Sequence, residues 1–398
     1  MKSLSKVLNS NISQQLFFLL ILVLFLRIDL VFENNTPTGG DMGAHIVAID
    51  TFIKDFMPNL QINGWSNDWF GGYPLYYFYF PLPAIITYIL NLVFSFGIAF
   101  KIMVVMSTIL VVYSIEKLMR KTSNQISIYG ATAGLFYVFT ESFTIYGGNL
   151  ASTLAGQFSF AYSLAFANLS IFYLIKSKNN FRFTISSIFL ALCLLSHLIP
   201  FIIYSPIYAF YWLSKKQNLN QRILSIFIFL ALVSRWSVSL LMNLEYTTNM
   251  SYTPFSRLDD LIKKDILPII FILIGLLIAK HKNFIKYKTI NLFDLYIISS
   301  SVLLYFYVPE GALWNGRLVP FFNLGIIFLF FKAVEIFIDD MNLYQQGVNV
   351  LTGLFLGGTI YCLYIFYEKW STNQSYLNLY IPIIFLIMIF AILNLKNV

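Results

Sequence analysis

The sequence predicts an all-α, polytopic transmembrane helix bundle, and three observations predict it. Of the 398 residues, 58% are apolar, 18% aromatic and only 11% charged, against about 25% charged in soluble domains. Apolar runs of about 17–25 residues recur from Leu16 to Leu395, each long enough to cross a hydrocarbon core of about 30 Å as a helix. Lys and Arg fall in the short breaks between those runs, as in a chain oriented by the positive-inside rule. Together these exclude a soluble globular protein. The short alternation of a membrane β-barrel is absent, and one signal peptide cannot supply so many spans. Topology accounts for the net charge of +8, so no nucleic-acid partner is expected. Cys193 and Cys362 both sit in apolar runs, which supports neither a disulfide framework nor a thiol metal site.

Taken in order, Lys2 and Lys6 precede the first apolar run, residues 16–32, which places the N-terminus inside and residues 33–82 outside. Basic breaks at Lys176, Lys178 and Arg182, at Lys215, Lys216 and Arg222, and at Lys280, Lys282, Lys286 and Lys288 read as cytoplasmic. Residues 141–158, 243–265 and 308–317 are the outward segments between them. The break at Lys117, Arg120 and Lys121 is also basic, so residues 83–118 have room for one full crossing only. Residues 83–96 must then lie in the interface or re-enter; otherwise the charge rule fails locally. Residues 184–213 run between two basic breaks and contain Pro200 and Pro206, so they form a short hairpin with its apex near His197 and Pro200. The sum is about 11–13 spans in one domain, residues 1–398, with amphipathic helices in the loop 33–82. Of the Asn-x-Ser/Thr triplets, at Asn34, Asn168, Asn249 and Asn373, that at Asn168 lies in an apolar run unsuited to glycosylation.

The loop 33–82 carries the densest chemistry. Gly39 and Gly40 permit a tight turn before Asp41, and Gly43 lets backbone approach beside it. If Met42 opens a helix, Asp41 and His45 share its first turn, where Asp41 is either a helix N-cap or a functional carboxylate. After the amphipathic stretch 44–57 comes an aromatic band containing Trp65, Trp69, Phe70, Tyr73, Tyr76, Tyr77, Phe78, Tyr79 and Phe80, with Asp68 embedded. It reads equally as a headgroup-level belt and as a platform for sugar rings and the first isoprene units of a lipid.

Ionisable residues inside spans call for a partner or a role. Arg27 and Asp29 lie near the outer end of the first span, and His197 lies at the hairpin apex. Asp294, Lys332 and Glu335 are near enough to a boundary to be solvated structural groups. Arg235, in the middle of ALVSRWSVSLL, is either a buried ion-pair partner or a ligand for an anionic headgroup. The last outer break places Glu310, Trp314, Asn315 and Arg317 at the start of a helix. There Arg317 is an outer anchor or a bidentate phosphate ligand, and an outer Arg runs against the positive-inside bias.

An outer loop bearing an Asp directly after the first span, followed by the lead-in YYFYFPLPAIITYIL, resembles the type C (GT-C) membrane glycosyltransferases. GGDMGAH, the GW-x3-W-FGGYPLYYFYFPLP run and LWNGRLVPF are similar to the bacterial membrane family labelled 6-pyruvoyl-tetrahydropterin synthase-related, although nothing in the sequence suggests a pterin enzyme. The likeness covers the N-terminal third well, the surroundings of His197 and Arg317 in patches, and the rest as hydropathy alone. Larger relatives carry an extracytoplasmic C-terminal domain that this sequence is expected to lack.

The resemblance implies a multi-pass cell-membrane enzyme with its active site on the extracytoplasmic face. It would transfer a sugar from a polyprenyl-phosphate donor to a glycan or lipid acceptor of the envelope, with membrane lipid around it. Asp41 matches the general base, and inversion at the anomeric carbon follows from direct attack. Arg317, then Arg235, are the choices for the donor phosphate, with His45 assisting Asp41. Trp65, Asp68, Trp69, Tyr73, Tyr79, His197, Glu310, Trp314 and Asn315 are the choices for sugar and lipid. No cofactor is expected. A divalent cation would have to use Asp41 and His45, with Asp50 and Asp68 nearby, and one Asp-x3-His pair falls short of the usual ligand count. The rival functions are a lipid-linked sugar transporter or flippase, which needs no base and often shows internal repeats not seen here, and a non-catalytic polysaccharide-assembly protein, against which the joint presence of Asp41, His45 and Arg317 argues.

Overall fold

The computed structural model describes residues 26–122, 127–140, 145–177, 180–248, 292–308 and 314–340, with isolated positions between 261 and 274. The run before Leu26, the break at Lys280 to Lys288, Glu310 and the apolar runs after Asp340 lie outside the described residues, as do the side chains of Arg120, Lys121 and Glu335.

A single helical turn, Ile28–Val31, leads into the first loop, which holds α1 (Met42–Thr51), a π turn (Phe52–Phe56) and a 3-10 turn (Met57–Asn59). A two-stranded antiparallel hairpin follows, β1 (Gly64–Ser66) against β2 (Tyr73–Leu75), with Trp65 opposite Pro74. The bundle is α2 (Leu82–Asn91), α3 (Phe96–Thr122), α4 (Ser127–Thr140), α5 (Phe158–Ile175), α6 (Asn180–Ser196), α7 (Leu198–Ser214), α8 (Leu219–Met242), α9 (Leu292–Tyr307) and α10 (Val319–Asp340). Among the described residues, Phe96–Met119, Leu150–Ile175, Leu219–Met242 and Asn315–Ala333 are long and apolar enough to cross a membrane. The chain is a multi-pass membrane protein. Its centre is α5, whose residues from Phe158 to Phe172 are all buried, with α3 and α6 packed on it. α8 is the exposed helix, burying Ser225, Val233 and Trp236 and presenting Ile223, Phe227, Leu230 and Leu241 outward.

The helices share two ends. At one, the basic breaks meet: the Lys215 ammonium donates to the Ile175 carbonyl at 2.8 Å, and Arg222 closes the C-terminus of α7 through the Lys215 carbonyl at 2.7 Å. At the other lie the first loop, the α6–α7 turn and the N-terminus of α10. The apex falls at His197, whose extended backbone (φ −169°, ψ 136°) separates α6 from α7 and whose Nδ1 accepts from the Ile199 N–H at 3.2 Å. Pro206 stays within α7, and the Ile202 carbonyl that its ring nitrogen cannot reach accepts the Ser205 hydroxyl at 3.3 Å.

The parity argument for residues 83–118 holds. α2 has ten residues and spans about 15 Å, half of a hydrocarbon core. By Ser95 the chain is back beside the first loop, where its hydroxyl donates to Asn34 at 2.7 Å. Lys101, one turn into α3, ties the stem of that loop by donating to the Leu30 and Glu33 carbonyls, each at 2.6 Å, and to Asn35 Oδ1 at 2.7 Å.

Some expectations are corrected. Asp294 and Lys332 are not solvated: both are fully buried and pair at 2.5 Å, because α9 and α10 pack side by side. A buried charge is tolerable only with such a partner. Arg27 and Asp29 pair with each other at 2.7 Å. Asn168, in keeping with its place in an apolar run, is fully buried and bonded to Ser114 and Tyr204.

Candidate active site

The site is built on a backbone contact between two distant segments. The Asp41 N–H donates to the Ala155 carbonyl at 2.8 Å. That approach requires glycine on both sides: a Cβ on Gly40 (φ 51°) would stand 2.2 Å from the Ala155 oxygen, and one on Gly156 (φ 109°) would stand 2.9 Å from the Asp41 Cβ. Around Gly43 there is open space, so Gly40, not Gly43, is the glycine of close approach.

Asp41 occupies the N-cap position of α1, but its side chain caps nothing. Its Oδ2 accepts from Gln157 Nε2 at 3.0 Å, and the residue is exposed. The plain N-cap reading of Asp41 therefore fails, and the carboxylate is directed out of its own helix. One turn on, His45 is half-buried, its ring 4.7 Å from that of Phe158 and 5.6 Å from that of Tyr79. Burial pushes the His45 imidazole below its usual range, opposed by the Asp41 charge and the Gly156 carbonyl. Where the sequence reading has His45 assist Asp41, the carboxylate accepts from Gln157, and the His45 backbone N–H donates to the Asp41 backbone carbonyl at 3.1 Å.

Tyr79 links this corner to the opposite one. Burial pushes its phenol up, the charge of Arg317 pulls it down and that of Asp41 pushes it up, so its hydroxyl lies in the fields of both. Arg317 projects from the 3-10 turn Asn315–Leu318 that opens α10, and its Nη1 donates to the Tyr146 carbonyl at 3.3 Å. Trp314 packs on Tyr146 at 5.7 Å, and the buried Asn315 donates to the Tyr305 carbonyl at 3.0 Å, which fixes the turn to the end of α9. His197 stacks on Phe80 at 4.8 Å and lies within the field of Arg317. Asp41, His45, Tyr79, His197 and Arg317 are thus brought to one end of the bundle around Phe80 and Phe158.

The other predicted residues among those described lie on the hairpin and on α8. Asp68 accepts the Thr51 hydroxyl at 2.7 Å, pinning the hairpin to the end of α1. Trp69 and Tyr73 pack together at 5.7 Å, while Trp65 and Phe70 are 63% and 90% exposed, large apolar surfaces on the hairpin that nothing in the described chain covers. Arg235 is exposed and makes no ion pair among the described residues: its Nη2 donates to the Leu60 carbonyl at 2.6 Å. Beside it Trp236 donates to the Tyr79 carbonyl at 2.8 Å, and Asn63 to Ser239 at 2.7 Å, so one face of α8 anchors the loop. Glu310 lies outside the described residues. Asp50 pairs with Lys54 at 2.6 Å, and among the described residues no three His, Cys, Asp or Glu side chains converge as metal ligands.

Sequence reasoning missed Gln157, Gly156, the Tyr146 carbonyl and Trp236. The glycines at both ends of GGNLASTLAGQ, on an outward segment, were the available signal for the first three. No signal in the apolar run of α8 distinguished Trp236 from a core residue.

No protein-family model matches the chain, and no curated protein does. Among solved structures the chain is similar to ArnT from Cupriavidus metallidurans in the apo state, with a TM-score of 0.54 and 11% identity over 96% of this chain and 76% of that one. It is similar also to the same protein bound to undecaprenyl phosphate, with a TM-score of 0.54 and 10% identity over 98% and 78%. At that identity the likeness is one of fold. The fold is the all-α, polytopic membrane bundle expected from the sequence and is like that of ArnT, while the resemblance to the 6-pyruvoyl-tetrahydropterin synthase-related family rests on its motifs alone.

Proposed function

We propose that this protein is a membrane glycosyltransferase that moves a sugar from a polyprenyl-phosphate donor to a hydroxyl of an envelope glycan or lipid. The reaction takes place at the end of the bundle that carries residues 33–82, and the basic breaks at the opposite end support an extracytoplasmic face for it. One observation carries the reading: an exposed carboxylate at a helix N-cap position that caps nothing, docked on the segment 145–157 that also accepts a hydrogen bond from an arginine of the far end of the chain. The neighbour of like fold that binds undecaprenyl phosphate supports the lipid.

In this reading Asp41 accepts the proton of the acceptor hydroxyl as that oxygen attacks the anomeric carbon. The bond from that carbon to the phosphate oxygen breaks, its electron pair leaves with the polyprenyl phosphate, and the configuration inverts. A positioned base contributes about 10²–10⁴-fold. The leaving phosphate needs its charge held more than it needs a proton, and Arg317 supplies that charge. Tyr79 is kept neutral by burial. The hairpin aromatics Trp65, Trp69 and Tyr73 offer faces for sugar and isoprene. Asp41 and His45 are the two donors a divalent cation would find here, and the steps above need none.

The test is turnover of undecaprenyl-phosphate sugars by the purified protein, read as free lipid phosphate, with the anomeric configuration of the product determined. Release with inversion is expected for one donor. Saturable binding without release, for every donor, would replace this reading by the transporter or assembly role.

A further inference from the structure

The described mechanism leaves unused the segment against which Asp41 docks. Residues 145–157 touch both working corners: the Tyr146 carbonyl accepts from Arg317, and Gln157 donates to Asp41. Between them the segment is fastened to itself. Asn149 Oδ1 accepts from the Ser152 N–H at 2.6 Å, the Ser152 hydroxyl accepts from the Gly147 N–H at 3.1 Å, and the Thr153 hydroxyl donates to the Asn149 carbonyl at 2.7 Å. Gly156 then breaks the helix at φ 109°, and Gln157, half-buried, follows directly.

A carboxylate acting as a base must offer one oxygen along a fixed line, and an exposed Asp side chain rotates freely unless something holds the other oxygen. Gln157 Nε2 holds Oδ2. Oδ1 accepts no hydrogen bond among the described residues. The groups facing the carboxylate are His45, one turn along α1, and Tyr79 from the lead-in to α2, and neither supplies that hold. An amide suits the task because it donates a hydrogen bond without carrying a charge or competing for the proton.

We propose that Gln157 is a positioning residue for the reaction: by anchoring Asp41 Oδ2 it presents Oδ1 to the acceptor hydroxyl, and its fastening to the Tyr146 turn holds Asp41 and Arg317 in one frame. This rests on the glycosyltransferase reading. Gln157 acts through Asp41 and touches no reacting atom.

The experiment uses the full chain and the undecaprenyl-phosphate sugar that it turns over. Gln157→Ala is expected to lower kcat by about 10–100-fold, with the donor KM within about twofold of wild type and an unchanged melting temperature. Gln157→Glu keeps the length but replaces the donor by a carboxylate, and kcat falls at least as far. A packing role predicts the reverse order, with Glu active and Ala impaired, and that order would overturn the proposal, as would wild-type kcat in both variants. A second measurement needs no turnover: labelling of Asp41 by a water-soluble carbodiimide and an amine, read by peptide mass. Release from Gln157 is expected to raise Asp41 labelling severalfold in Gln157→Ala, and equal labelling would overturn the proposal. If no donor is turned over by the wild type, the glycosyltransferase reading falls, while the labelling still decides whether Gln157 holds Asp41.

Discussion

Asp41 and Asp68 belong to the same loop, and the fold uses them in different ways. Asp68 is taken up locally, its Oδ2 accepting the Thr51 hydroxyl that also bonds the Val47 carbonyl, so it serves as a staple between the hairpin and α1. Asp41 is held by one neutral amide from a segment distant in sequence, and its second oxygen accepts no hydrogen bond among the described residues. The same contrast separates the two arginines first chosen for phosphate. Arg235 faces outward from α8 and props the loop through the Leu60 carbonyl, whereas Arg317 sits half-buried in a fixed turn, with its charge reaching Tyr79 and His197. The α8 edge of the loop is therefore an anchor, and in the proposed function the edge docked on residues 145–157 carries the chemistry. Which residues serve which role is decided by their partners, not by their type.

Substitutions at the working edge should change turnover first, and those at the anchoring edge should change stability first. The largest effect is expected at Asp41→Asn, a loss of turnover of at least about 10² with donor binding and melting temperature retained. Arg317→Lys should come next, raising the donor KM about tenfold in a steady-state assay, because an ammonium cannot make the planar bidentate contact. On the other edge, Trp236→Phe removes the indole donor of the Tyr79 carbonyl and should cost about 1 kcal/mol, read as a lower melting temperature with kcat little changed. A large loss of kcat without a change in melting would break the division between edges.

His45 gives a smaller, pH-dependent effect. Its folded pKa lies below its ordinary value of 6.5, so the unfolded chain binds the proton more readily. Its contribution to stability is then complete above about pH 6.5 and declines as pH falls through the window beneath, down to the folded pKa. Melting temperature followed downward from neutral pH should fall, and His45→Gln should flatten part of that fall. The smallest effect expected is none: chelation with EDTA should leave turnover unchanged, and its loss would return Asp41 and His45 to the role of metal ligands.

Much of the fold could be read from residue order alone, because span length, basic breaks and the hairpin around His197 are properties of contiguous sequence. The short α2 followed from counting crossings. The β-hairpin did not follow, since strands of three residues give no readable alternation, and its aromatics also fit a headgroup belt. At the site, two glycines next to an outer Asp pointed to Asp41. Gln157 stayed hidden because its partner is 116 residues away and a single Gln at the mouth of an apolar run carries no pattern. Of the two readings of Arg235 the packing removes only burial: α8 is an outer helix with the first loop resting on it, which an Arg in an apolar run does not reveal.

The most direct test is to compare wild type, Asp41→Asn and Asp68→Asn in one assay for release of undecaprenyl phosphate from a donor sugar. Release by wild type and Asp68→Asn at similar rates, with Asp41→Asn slower by at least about 10², is the predicted result. Wild-type release by Asp41→Asn, or an equal collapse of both variants, would contradict the assignment of chemistry to Asp41.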